Sequence, residues 1–406
     1  MRLHFSLDTF RYALCASLIA LASFDISAKL TDDGYYRVQN ARSNRYIYVL
    51  DDKGELNFQA TTADLGAIEL WLGQEKTISD PATVIYMTDL DGKKRDYDFL
   101  TQGTGVMAMI DHAVSVQLVP GTTDRYRIFG RHSGSVRYIG DGTEGPGEKG
   151  RVGSTQPASS EWVKWYIHPV TDDDSSCFGL TPDIEAGGSY YTSFYASFPF
   201  STASGGMTVY YVSKIVGDIA VVKEIDGTVA GATPVIVKTS SALPAQNKLN
   251  LGGNASPVAG NQLKGVYFKN ESMSHTNLTP YDRQTMRLFG LTSDGKPGFI
   301  TSDEAYLPRN KAYLQVPAGT PAELRIMTED EYIASVDCID NADNQVRMRT
   351  EGLTLHIDGL AGNTAVEVCN ITGQRIYTGS DNRIILPAPG IYIARIGSRA
   401  HKFIAR

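Results

Sequence analysis

Gly34-Tyr35-Tyr36-Arg37-Val38 leads, after a polar loop, into Arg45-Tyr46-Ile47-Tyr48-Val49. The same pairing returns as Arg125-Tyr126-Arg127-Ile128-Phe129 followed by Val136-Arg137-Tyr138-Ile139-Gly140. A degenerate copy lies between them, in Val84-Ile85-Tyr86-Met87 and Asp96-Tyr97-Asp98-Phe99-Leu100. The leading tyrosines 36, 86 and 126 stand 50 and 40 residues apart. Alternation with period two is the pattern of a half-buried strand. Units this short cannot bury an apolar face alone, so three of them predict threefold closure of the sheet, a β-trefoil over residues 29–170.

The remaining chain keeps the same grammar. Ser189 to Tyr195, Met207 to Val212, Ile219 to Val222, Pro234 to Lys238, Leu263 to Tyr267, Met286 to Gly290 and Lys311 to Val316 read as strands, and Asp294-Gly295 marks a hairpin turn. They predict a β-sandwich module over 188–327, with 253–261 and 275–285 as its long loops. Asp172-Asp173-Asp174-Ser175-Ser176 is an acidic break, taken as the core of a linker over 171–187, and a second linker is placed at 328–350. Beyond it Ala365 to Val368, Ile371 to Tyr377, Arg383 to Leu386, Gly390 to Ile396 and Lys402 to Arg406 predict a small Ig-like sandwich over 351–406. The expected fold class is therefore all-β throughout.

At the other end, Tyr12 to Phe24 is an apolar run of 13 residues behind Arg2 and Arg11. A membrane span needs roughly 20 apolar residues, so 1–28 reads as a signal peptide cleaved after Ala28. Leu14 before Cys15 does not fit a lipid-anchor signal. Formal net charge is -7, and the leader carries Arg2 and Arg11 against Asp8 and Asp25, so the mature chain keeps that value. Such an acidic, dispersed surface disfavours nucleic acid. The mature cysteines are Cys177, Cys338 and Cys369; an odd count excludes a fully paired set, and either a Cys177–Cys338 bridge or free thiols fits the spacing.

Three stretches also resemble known modules. Val366-Glu367-Val368, Ile371-Thr372-Gly373-Gln374-Arg375, the Pro-Gly-Ile-Tyr run 389–392 and a closing basic-apolar strand resemble the C-terminal sorting domain of type IX secretion substrates in Bacteroidota. That resemblance implies export through the periplasm and contact with outer-membrane secretion machinery. Residues 30–170 resemble the ricin-type trefoils of secreted bacterial proteins, whose units hold shallow sugar sites of an acidic residue, an aromatic platform and an amide. The chain departs from that pattern. Glu69-Leu70-Trp71 and Trp162-Val163-Lys164-Trp165 replace Gln-x-Trp, and Tyr48 and Gly140 stand where an acidic residue is common, so Trp71, Trp162 and Trp165 are expected in the core rather than under a ligand. Ala230 to Pro234 and Leu307-Pro308-Arg309-Asn310-Lys311-Ala312-Tyr313 resemble a β-module of Bacteroidota surface proteins, with no catalytic role attached.

The sequence carries no H-E-x-x-H, G-x-S-x-G or P-loop string. Gly145 to Gly150 matches a dinucleotide fingerprint only as letters, because Gly153, Pro157, Ala158 and two serines follow it and no helix can start there. Asp89-Leu90-Asp91-Gly92 resembles half a calcium loop and is better read as a hairpin turn. His112, His132, His168, His275, His356 and His401 show no ligand spacing and are taken as structural. No catalytic or metal residue and no cofactor is assigned, and the ligand-binding residues are unknown. The expected protein is a non-enzymatic secreted or surface protein that binds a glycan or an extracellular protein through the trefoil. A purely structural surface protein, or an unrecognised hydrolase or inhibitor, are the alternatives.

Overall fold

The computed structural model describes residues 33–49, 68–71, 74–90, 92–102, 114–132, 135–141, 150–271, 276–337, 346–360, 362, 364–371, 373–396 and 399–405. The expected signal peptide, the fingerprint-like loop after Gly145 and Cys338 lie outside them. Among the described residues the chain is all-β, with 32 strands beside two α-helices of six and nine residues. The described residues divide into two compact units, one running through Tyr211 and resuming at Glu224–Glu323, the other formed by Val212–Lys223 and Leu324–Arg406.

The first ten strands are β1 (Gly34–Asn40), β2 (Tyr46–Val49), β3 (Ile68–Trp71), β4 (Ile85–Asp89), β5 (Asp96–Leu100), β6 (Val114–Leu118), β7 (Tyr126–His132), β8 (Ser135–Asp141), β9 (Gly150–Gln156) and β10 (Trp165–Pro169). Six of them close a ring in the order β1, β4, β5, β6, β7, β10 and back to β1, every neighbour antiparallel. Hairpins β2–β3 and β8–β9 pair with each other through Glu69 and Leu70 beside the ring. Period two explains the core. Tyr36 and Val38, Ile85 and Met87, Tyr97 and Phe99, Val116, Tyr126 and Ile128, Trp165 and Ile167 alternate inward into one cluster. Among the repeat's leading tyrosines, 36 and 126 enter that core. Tyr86 does not; the inward tyrosine of the middle copy is Tyr97, one strand later.

Two polar features lie inside this part. Trp165 is fully buried and its Nε1 donates to the Ile139 carbonyl at 2.9 Å. Arg45 and Asp141, 1% and 0% exposed at the side chain, form a two-bond ion pair, with Nε to Oδ2 at 2.8 Å. The β4–β5 turn is the hairpin its sequence predicts: Asp89 accepts from the Gly92 and Lys94 amides, and Gly92 takes a φ of +67°.

Residues 171–187 are not a solvated linker. Cys177, Phe178 and Leu180 are buried, and Phe178–Gly179 pairs antiparallel with Lys248–Leu249. The acidic run folds into a turn, with the Ser176 and Cys177 amides donating to the Asp173 carbonyl and Lys248 bridging to Asp174. A second core gathers Phe178, Leu180, Phe194, Phe198, Phe200, Val235, Val237 and Leu249, and Val84 and Tyr35 join it. β1 thus serves two cores. Tyr36 and Val38 face the ring, while Tyr35 and Arg37 on its other face meet the strands that follow. Arg37 is 4% exposed and donates to the Ser176, Cys177 and Ile78 carbonyls and to Thr83 Oγ1.

The strands after the turn form antiparallel groups. Ser189–Phe194 lies between Ile184–Ala186 and Val235–Thr239, and Lys311–Gln315 lies between Leu263–Val266 and Met286–Leu291. The hairpin at Asp294-Gly295 is present, with Gly295 at a φ of +74°.

In the second unit Ile219–Val222 pairs in parallel with Arg325–Thr328, and a helix at Glu329–Asp337 occupies part of the expected linker 328–350. Lys223 pairs with Glu329, and Lys214 sits 4.4 Å over the Tyr332 ring. The C-terminal residues form a three-stranded and a four-stranded sheet around one core of Leu355, Ile357, Val366, Val368, Ile384, Tyr392, Ala394 and Phe403. The strand expected from Ile371 starts at Arg375 instead. Asn370 folds the intervening residues into a turn, its Oδ1 accepting from the Gln374 amide while Gly373 takes a φ of +81°, and Ile371 is left 70% exposed.

Candidate functional site

Two concave sites in the first unit bring polar side chains together. The first lies on the outer face of β1 and has a volume of about 250 Å³.

The first pocket is lined by Arg37, Gln39, Tyr46, Thr77, Ile78, His168 and two serines of the acidic turn, Ser175 and Ser176. Strand register assembles it. Arg37 pairs across from His168 and Gln39 across from Tyr46, and directly opposed residues of antiparallel strands share a face. His168 Nε2 lies 2.9 Å from Gln39 Oε1, while Gln39 Nε2 donates to the Asn44 carbonyl at 3.1 Å. That second bond orients the amide, so Oε1 accepts and His168 carries its proton on Nε2, leaving Nδ1 as an acceptor. Burial, then the charge of Arg37, pushes the His168 pKa down, which favours this neutral form. Tyr166 stacks on His168 at 5.7 Å and Tyr46 stands 6.3 Å away. Burial raises the Tyr46 phenol against the pull of Arg37, and burial lowers Arg37 itself to about 10, so the guanidinium stays charged at neutral pH.

The second cleft, about 360 Å³, is lined by Asp80 and Pro81, by Leu180, Thr181, Asp183, Thr192 and Phe194, and by the tripeptide Arg309-Asn310-Lys311. Asp80 caps a short 3-10 turn through the Ala82 amide and accepts from Arg309 Nη1 at 3.0 Å. Asp183 accepts from Lys311 Nζ at 2.6 Å and from Thr192 Oγ1 at 2.9 Å. Asn310 is 6% exposed and holds a left-handed φ of +55°. Its Nδ2 donates to Gln102 Oε1 at 2.7 Å and to the Tyr195 carbonyl at 3.1 Å, while its Oδ1 is buried with no donor among the described residues.

Of the tryptophans expected in the core, Trp165 is there; Trp162 is half-buried with Arg42 4.5 Å over its ring, and the Trp71 side chain lies outside the described residues. His168, taken as structural from sequence, lines the first pocket; His112 and His275 lie outside the described residues. Cys177 and Cys369 are free thiols, the first buried. Among the described residues no group of three or more His, Cys, Asp or Glu side chains is placed to hold a metal ion. The first pocket is assembled by the register of β1 against β10, which spacing along the chain does not reveal.

No protein-family model and no curated protein matches the chain. A solved structure of a mosquitocidal holotoxin is similar over 90% of this chain and 47% of that one, at 9% identity and a TM-score of 0.26. The chain thus spans about half the length of that toxin.

Proposed function

We propose that this is an exported, non-enzymatic secreted or surface protein that binds a glycan through its N-terminal ring, read as a β-trefoil. The observation that carries the proposal is the pocket of Gln39, Tyr46 and His168. Aromatic rings suit the apolar face of a sugar, and an oriented imidazole, an amide and hydroxyl groups suit its hydroxyls. The closed six-stranded ring with alternating inward residues supports the trefoil reading. The C-terminal two-sheet unit, by its resemblance to type IX sorting domains, would deliver the protein across the outer membrane. The test is a broad glycan array probed with the mature protein, Lys29 to Arg406. Saturable binding to one sugar class is expected; a blank array returns the chain to a structural surface role.

A further inference from the structure

We propose that the first pocket takes an acidic sugar, with the charged substituent, a carboxylate or a sulfate, seated beside Arg37. In location and general ligand class this rests on the glycan reading above; the choice of a charged over a neutral sugar goes beyond it. The volume, about 250 Å³, lies below the roughly 300–1,000 Å³ usual for ligand pockets, which suits one ring rather than a chain.

Arg37 carries the inference. Its side chain lines the pocket and is buried, yet among the described residues no carboxylate pairs with it. Four of its five N–H groups go to the Ile78, Ser176 and Cys177 carbonyls and to Thr83 Oγ1, and the Phe178 ring lies 5.9 Å away. These partners offer dipoles and a ring face but no negative charge. Buried cations are ordinarily paired. Asp80, the carboxylate whose charge reaches Arg37, is itself committed to Arg309 and to the Ala82 amide.

The charge is felt inside the pocket. Burial and then Arg37 lower the His168 pKa; burial raises the Tyr46 phenol while Arg37 pulls it down. The carboxylates of Asp172 to Asp174 on the adjoining turn are exposed, where salt screens them, and Asp174 pairs with Lys248. A seated anion therefore gains attraction to Arg37 through space, with none of the carbonyl bonds broken.

The accessible groups complete the site. Tyr46 is half-buried and its hydroxyl has no partner among the described residues, so it can donate to the anion. His168 Nδ1, left without a donor by the Nε2 bond to Gln39, can accept from a ring hydroxyl.

The test is calorimetric titration of the mature protein with the methyl glycosides of glucuronate, galacturonate and N-acetylneuraminate, each against its methyl ester, and with N-acetylglucosamine 6-sulfate against N-acetylglucosamine. The first three pairs report a carboxylate and the last a sulfate. Ser175 lies exposed at the rim, so Ser175→Glu and Ser175→Lys change the local charge without touching a core. At least one acidic sugar is expected to bind about tenfold tighter than its neutral counterpart. Ser175→Glu should narrow that preference about threefold or more and Ser175→Lys should keep or widen it. Equal or tighter binding of the neutral counterparts, or a preference that Ser175→Glu leaves unchanged, overturns the proposal. If neutral sugars bind and Tyr46→Ala weakens them, the proposed function stands without it. No binding of any sugar overturns both.

Discussion

The Arg37 guanidinium donates to the Cys177 carbonyl at 3.1 Å, across 140 residues of chain. With its bonds to Ser176, Ile78 and Thr83, this one side chain ties the outer face of β1 to the acidic turn that follows the ring. The same turn supplies Ser175 and Ser176 to the first pocket, so the strut that holds the turn also shapes the site.

Replacing Arg37 by Met leaves those buried carbonyls without their donor. Urea unfolding of the mature protein is expected to show a loss of about 3 kcal/mol. A loss under about 1 kcal/mol, within the range of ordinary surface changes, contradicts the role given to Arg37.

The buried Arg45–Asp141 pair predicts an asymmetry. Asp141→Leu alone takes the carboxylate away from a buried cation and is expected to cost about 3–5 kcal/mol, whereas Arg45→Met with Asp141→Leu recovers most of the loss. Equal destabilisation by the single and double variants counts against it.

His168 makes stability depend on pH. Its folded pKa lies below the ordinary 6.5, so the unfolded chain binds the proton more readily. Stability is therefore lost as pH falls from 6.5 toward the folded value, and levels off once the folded imidazole is also protonated. The difference in unfolding free energy between wild type and His168→Gln, measured from pH 8 to 5, should shrink or reverse over that window. A difference independent of pH contradicts the assignment.

Thiol labelling separates the two described cysteines. Burial raises the Cys177 thiol, and Cys369 is half-buried. Iodoacetamide at pH 8 followed by peptide mass mapping should mark Cys369 in the native protein and Cys177 only in urea. Native labelling at Cys177 contradicts the packed turn.

Export is tested by removing residues 352–406. The sorting reading predicts accumulation in the periplasm; unchanged surface display contradicts it.

Much of the ring is legible in the sequence because period-two alternation is a local signal, and Tyr36, Val38, Tyr126 and Ile128 alternate inward. The middle copy is legible only in part, since Tyr86 and Tyr97 occupy equally regular strands and only closure of the ring chooses Tyr97. Cys177-Phe178-Gly179-Leu180 is too short an apolar run to stand out behind three aspartates, yet the second core needs it. Asn370 and Gly373 carry turn chemistry inside what otherwise alternates like a strand. The sites are the least legible, because Arg37, Gln39, Tyr46 and His168 meet through register, and Asp80 meets Arg309 across 229 residues.

The most direct measurement is the affinity of the array's best sugar for the mature protein, compared with Tyr46→Ala and His168→Phe. The account predicts that each substitution weakens binding about tenfold, the loss of one aromatic contact or one hydrogen-bond acceptor, while thermal unfolding still shows a folded protein. Undiminished affinity in both variants contradicts a sugar site on the ring.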